Sequence, residues 1–162
     1  MTKAMELYKS ANSQISFICE SLLGYTAQDG TEYNKIALVL VLRDADNKAQ
    51  QTVKYFLDVP TAKVLMTDLF HCKLQEEYSG FKKHGDKQRA LTIKPNNDDG
   101  YRVSIMNNNG GADKQSLYFD ITTWQARELA VSVLDYIRNY EQAKTMALYL
   151  RSDDGHIQRL SH

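Results

Sequence analysis

The sequence predicts an α+β fold: two related antiparallel β-sheets with two helices in a duplicated ββββα arrangement. Three observations predict it. Short segments of alternating apolar and polar residues fill most of the stretch from Ile15 to Leu57 and recur from Glu77 to Ile121. Each run ends in an abrupt change to helical spacing, at Asp58-Val59-Pro60-Thr61 and again at Asp120-Ile121-Thr122-Thr123. The two junctions also align: Tyr55-Phe56-Leu57-Asp58-Val59-Pro60-Thr61 corresponds to Leu117-Tyr118-Phe119-Asp120-Ile121-Thr122-Thr123, and both keep aromatic neighbours, an Asp, a β-branched residue and a helix start. A unit used twice accounts for two similar sheets packed at an angle, with both helices on the same side.

Taken in order, Ile15 to Glu20 alternates, Tyr33 to Arg43 is β-branched and aliphatic, and Thr52 to Leu57 puts Val53, Tyr55 and Leu57 on one face. Leu22 to Thr26 supplies a further short strand or extends the first. Gln28-Asp29-Gly30 and Asp44 to Lys48 are turns. Pro60 suits a first helical turn, and Val64, Leu65, Leu69 and Cys72 predict a helix over about 60–72. Strands resume at Glu77 to Lys83, Arg89 to Lys94, Tyr101 to Met106 and Ser116 to Ile121, divided by Gly- and Asn-containing turns. Thr122 with Gln125 three positions on is a capping box. It opens a helix carrying Ala126, Ala130, Val133, Leu134, Ile137 and Tyr140 on one side and running to about Leu150. Residues 1–151 are expected to form one domain and residues 152–162 a flexible tail.

Composition narrows the function classes. The chain has 162 residues, 43% of them hydrophobic and 25% charged, which suits a single globular domain rather than a disordered one. The longest apolar run, Ile36 to Leu42, falls far short of the roughly 20 residues that cross a bilayer as a helix. With no signal-like N-terminus, the chain is expected to be cytoplasmic or a mature form whose presequence is missing. Lys and Arg number 20, as do Asp and Glu, so any polyanion must be held by local patches. Cys19 and Cys72 have no metal-ligand spacing and are expected as buried free thiols. No nucleophile, base and orienting-group set can be assembled, so no catalytic residue, metal or cofactor is expected.

The segment Lys87-Gln88-Arg89-Ala90-Leu91-Thr92-Ile93-Lys94-Pro95-Asn96-Asn97-Asp98-Asp99-Gly100-Tyr101-Arg102-Val103-Ser104-Ile105 resembles the central hairpin of the Whirly family of single-stranded DNA-binding proteins. Val53 to Thr61 and Phe119 to Glu128 are similar to that family's two strand-to-helix junctions, in matching order. The resemblance spans about residues 8–140. Where the family carries Lys-Gly-Lys-Ala-Ala-Leu on an early strand, this chain reads Lys9-Ser10-Ala11-Asn12-Ser13-Gln14 and keeps only Lys9. The resemblance implies a homotetramer with its helices gathered centrally and single strands lying across sheet faces and between protomers.

The residues supply the parts for such binding. Sequence-tolerant capture of single strands needs exposed rings for stacking and cations along the backbone path. If Leu91, Ile93, Val103 and Ile105 face the core, then Ala90, Thr92, Lys94, Arg102, Ser104 and Met106 face outward. The candidate nucleic-acid-binding set is Lys9, Tyr33, Lys35, Lys54, Phe56, Tyr78, Lys82, Lys94, Arg102 and Tyr118, with Tyr8, Tyr25 and Phe81 as further rings in or beside strands. Any single Tyr can equally be a half-buried sheet residue. Trp124 is expected in the core, and His71 beside Cys72 is expected to be structural because neighbours on a helix point about 100° apart. The predicted function is single-stranded DNA binding with little sequence preference by a homo-oligomer. The alternatives are an RNA-binding or RNA-annealing protein on the same scaffold, or a non-catalytic oligomeric protein-interaction module.

Overall fold

The computed structural model describes residues 4–97 and 99–160, with side chains as far as Arg151. Its strands are β1 (Met5–Ala11), β2 (Ile15–Ser21), β3 (Tyr25–Thr26), β4 (Glu32–Tyr33), β5 (Lys35–Arg43), β6 (Ala49–Asp58), β7 (Tyr78–His84), β8 (Lys87–Pro95), β9 (Tyr101–Asn108) and β10 (Lys114–Ile121). The helices are α1 (Val59–Phe70) and α2 (Thr123–Leu160). One four-stranded sheet runs β1-β2-β5-β6, a second runs β10-β9-β8-β7, and β3-β4 is a two-stranded ribbon. All pairings are antiparallel, and a helix follows the last strand of each four-stranded sheet.

The α+β class with antiparallel sheets and two helices is as the sequence predicts. Two elements differ. Strand β1 escapes the alternation rule because its register shifts between Glu6 and Tyr8, and the extra residue there breaks the period of two. Leu22 to Thr26 supplies a separate short strand, β3, as one of its two readings has it, while Tyr33, expected to open one strand running to Arg43, falls in β4 of the ribbon instead.

The core lies between the inner faces of the two large sheets and the helices. Phe17, Ile36, Leu38, Leu40, Val53 and Leu57 come from the first sheet, and Leu91, Ile93, Val103, Ile105, Phe119 and Ile121 from the second. Phe17 and Phe119 meet across the gap with ring centroids 5.9 Å apart. Helix α1 contributes Ala62, Leu65, Met66 and Leu69, and α2 contributes Ala126, Leu129, Ala130, Val133 and Ile137. These α2 positions recur at three- and four-residue intervals, one stripe of a 3.6-residue helix. The pleat is as expected, with Leu91, Ile93, Val103 and Ile105 all at most 1% exposed.

The helix starts are built differently. Thr122 and Gln125 form the capping box: the Thr122 amide donates to Gln125 Oε1 at 2.9 Å and the Gln125 amide donates to Thr122 Oγ1 at 3.1 Å. Asp58 precedes α1 with extended backbone and makes no side-chain cap, while Pro60 occupies the first turn. The Asp58 carboxylate is free to turn elsewhere, which matters below.

Four expectations meet corrections or limits. Trp124 is not core: it is 68% exposed, and its indole N–H donates to Glu128 at 3.1 Å. Counted at 100° per residue, it lies almost opposite the stripe through Ala126, Ala130 and Val133, so the buried face cannot include it. Helix α2 continues to Leu160 rather than stopping near Leu150. The flexible tail expected over 152–162, like Asp98 in the β8–β9 turn, falls outside the fully described residues. Both cysteines are free thiols, but only Cys19 is buried, and burial pushes its pKa well up, while Cys72 is half-buried.

Candidate functional site

Residue parity along paired strands decides which side chains share a face. On the second sheet the outer face reads, across β7-β8-β9-β10, as Lys83–Gln88–Asn108–Lys114, then Phe81–Ala90–Met106–Ser116, then Ser79–Thr92–Ser104–Tyr118, and lastly Lys94–Arg102–Asp120. No residue of this face is buried. The helices pack on the opposite side, so the face is left open. Its middle strands carry the small Ala90, Thr92 and Ser104 beside the longer Met106. Its edge strands carry two exposed rings, Phe81 at 60% and Tyr118 at 53%. Cations stand at both ends of the strands, at Lys83 and Lys114 and at Lys94 and Arg102. Lys94, Arg102 and the β8–β9 turn also line a small cleft of about 300 Å³.

Arg102 is held in place twice over. Its Nε donates to Asp120 Oδ1 at 2.7 Å and its Nη2 donates to Asp120 Oδ2 at 2.9 Å, a bidentate pair. Its guanidinium also sits 4.2 Å from the centre of the Tyr118 ring. The hydrogen bonds from Arg102 hold the Asp120 carboxyl below the usual carboxylate range and raise the Arg102 pKa in turn.

The first sheet has its own outer face. One cross-strand row reads Lys9–Ile18–Val39–Lys54 and the next Glu6–Glu20–Ala37–Phe56, with Lys35 opposite Asp58 at the strand ends. Here a buried apolar centre, Ala37 and Val39, is flanked by Lys9 and Lys54 on one row and by Glu6 and Glu20 on the next. Asp58 accepts a hydrogen bond from Lys35 and lies 3.5 Å from Lys82 Nζ. The Lys35 hydrogen bond is the main cause that keeps the Asp58 pKa below the ordinary range. For both aspartates the folded-state value lies below the unfolded one. Any stability these pairs contribute is therefore in place above the usual carboxylate range and is lost as the pH falls through the depressed values. Both carboxylates are about half exposed, so screening keeps that contribution small.

Tyr78 and Lys82 lie between these two surfaces, on the inner side of β7. Gly80 lies between them, and a Cβ there would come within 2.5 Å of the Tyr55 hydroxyl, so the glycine is what admits the Tyr55 ring. Lys82 Nζ lies 5.5 Å from that ring's centre and donates to the carbonyl of Phe56 at 2.5 Å. Asn107, with its amide nitrogen turned toward acceptors, donates to the carbonyl of Lys54 at 3.0 Å. Side chains of the second sheet thereby satisfy carbonyls on the open edge of β6, which a bare sheet edge would leave unpaired. Burial raises the pKa of Tyr55 and of Tyr78. Arg89, on the same side as Lys82, passes over the Phe56 ring at 4.8 Å.

The structure thus sorts the predicted set. Lys94, Arg102 and Tyr118 are together on the second outer face, and Lys9, Lys35, Lys54 and Phe56 on the first, while Tyr78 and Lys82 form the seam. Tyr33 is not brought to either face: it stands on the ribbon, its ring centre 5.8 Å from that of Tyr25 and tilted 53° to it. Three cations absent from that set join the surfaces, Lys83 and Lys114 at the corners and Arg89 at the seam. Strand parity from Leu91 could have found Arg89, two residues away on the same side. Among the described residues no group of three His, Cys, Asp or Glu gathers to hold a metal, and no helix is long and apolar enough to cross a membrane.

The helical side carries a different surface. Val64 is 65% exposed, Phe70 39% and Val131 43%, and with Trp124 they leave apolar area on both helices. Tyr8, Phe70, Trp124 and Val131 line a cleft of about 860 Å³. No family model matches the sequence, and no curated protein matches it.

Proposed function

We propose that the chain is a non-catalytic single-stranded DNA-binding protein of Whirly-like, duplicated ββββα architecture, binding strands with little sequence preference across the outer faces of its sheets. One observation carries this reading. The outer face of the second sheet is uncovered and sets two exposed rings, Phe81 and Tyr118, among Lys83, Lys94, Arg102 and Lys114. Stacking on an exposed ring is worth roughly 1–3 kcal/mol per base and is indifferent to base identity, so a chain with no net charge can still hold a single strand. The small Ala90, Thr92 and Ser104 beside Met106 leave room for a backbone to pass between the rings. The same reading puts the protein in the cytoplasm.

The experiment is an anisotropy titration with labelled oligo-dT, oligo-U and duplex DNA at two salt concentrations. Oligo-dT is expected to bind tightest, with affinity falling as salt rises because phosphate contacts release counterions. Tighter binding of oligo-U would favour the RNA reading, and failure to bind any strand near physiological salt would overturn both.

Assembly as a homotetramer belongs to the same proposal. It is supported by the apolar area that Val64, Phe70, Trp124 and Val131 leave on the helical side, away from the outer sheet faces. Four chains of 18.5 kDa give about 74 kDa, and light scattering is expected to return that mass. A monomer of 18.5 kDa would remove the tetramer.

A further inference from the structure

The two outer faces repeat one small device. At the end of the last strand of each sheet an aspartate stands directly across from a cation at the start of the neighbouring strand, Asp58 from Lys35 and Asp120 from Arg102. Two residues before each aspartate, on the same face, is a ring with a guanidinium over it: Phe56 under Arg89 at 4.8 Å and Tyr118 under Arg102 at 4.2 Å. Neither aspartate is tied to its own helix. Asp58 leaves α1 without a side-chain cap, and Thr122 with Gln125 serves α2. Both carboxylates instead bind cations, Asp120 with two hydrogen bonds to Arg102 and Asp58 with Lys35 and, at 3.5 Å, Lys82.

A carboxylate and a phosphate compete for the same donors, the guanidinium fork of Arg102 at Asp120 and the ammonium groups of Lys35 and Lys82 at Asp58. We propose that Asp58 and Asp120 are built-in counter-anions of the strand-binding faces: each occupies a cation that a strand phosphate would otherwise take, and so holds the affinity down. This rests on the single-strand reading above and adds the setting of its strength. The charges suit the role. Beside the Asp120–Arg102 pair stands Lys94, the cross-strand neighbour of Arg102, so that cluster keeps one cation beyond the pair, whereas at Asp58 one carboxylate draws both Lys35 and Lys82. At Asp120 a passing strand meets Lys94 first and then exchanges its phosphate for the carboxylate on Arg102, while at Asp58 its phosphate displaces the carboxylate from Lys35 or Lys82. The pairs are half open to solvent, with side chains 37% and 42% exposed for Arg102 and Asp120, so a phosphate can reach them.

The test uses Asp120→Asn and Asp58→Asn in the full chain, each read by oligo-dT titration over a salt series. Freeing one cation should tighten binding about three- to fivefold at low salt and steepen the slope of log K against log salt by about 0.7, the value for one more phosphate contact on a single strand. Asp46→Asn is the control, since it removes the same charge at the β5–β6 turn, away from either cluster. It is expected to match the parent. Weaker or unchanged binding by the two cluster variants would overturn the proposal, because the carboxylates would then be positioning the cations rather than competing for them. Equal tightening by Asp46→Asn would overturn it as a mere net-charge effect. If the parent chain binds no strand at all, the functional reading itself falls, a result distinct from either of these.

Discussion

Replacing Phe81 and Tyr118 together with Ala lowers the affinity for oligo-dT by about 30-fold to 10⁴-fold while leaving the melting temperature nearly where it was. The estimate takes ~1–3 kcal/mol per stacked base for each ring, and every ~1.4 kcal/mol is a factor of ten in affinity. The two effects separate because of where the rings stand. Both are more than half exposed and lie outside the buried cluster, so their removal opens no cavity. They sit on the two edge strands of the second sheet. Three strand spacings of about 4.8 Å across, and two residues of about 3.4 Å along, put them roughly 16 Å apart on its outer face. A strand that stacks on both must cross that face, so the paired variant should lose more than either single one. Thermal unfolding and anisotropy on the same preparations check both halves. An affinity that survives would move the site off this face, and an affinity lost together with a large drop in melting temperature would make the rings structural.

The second outer face was legible in the sequence only in part, and the reason is local. Strands β8 and β9 alternate cleanly: Leu91, Ile93, Val103 and Ile105 turn inward, so the outward placement of Lys94 and Arg102 follows from the period of two. Strand β7 reads the wrong way round. Phe81 points out and Lys82 points in, against the usual hydrophobic rule. Two partners outside the strand invert it: the Tyr55 ring, which Gly80 admits, and the Phe56 carbonyl on the edge of β6, to which Lys82 donates. Both depend on how the sheets meet, which no window of β7 contains.

Other parts divide along the same line. The capping box at Thr122 and Gln125 was readable because its two hydrogen bonds close within one turn. Strand β1 was hidden by its bulge, and Trp124 was misplaced by its residue type although the helical wheel already put it opposite the buried stripe. The alignment of Asp58 with Asp120 was visible in the chain. That each would face a cation was not, because Lys35 and Arg102 are joined to them only by strand register.

Gly100→Ala is the substitution expected to cost the fold most for the smallest change in the side chain. Gly100 ends the β8–β9 turn with φ +138°, a conformation that residues with a Cβ rarely adopt. A Cβ built there would lie 2.0 Å from the carbonyl oxygen of Ile121 and 2.9 Å from Cα of Thr122. These are backbone atoms at the junction where β10 hands over to α2, so neither can swing aside as a side chain would. Adding ~1–3 kcal/mol of backbone strain to ~1–3 kcal/mol for forcing atoms into an occupied place gives a loss of about 2–6 kcal/mol. For a chain of this length each kcal/mol lowers the melting temperature by about 2–4 °C, so the drop is roughly 4–24 °C. Gly85→Ala separates the two causes. Gly85 also has positive φ, +59°, but nothing lies within 4 Å of its Cβ position. It should lose only the left-handed penalty of about 1–2 kcal/mol. Urea unfolding of both variants reads the difference. Equal losses would mean that the turn has room to move away from Ile121, and with it the junction that sets Asp120 across from Arg102.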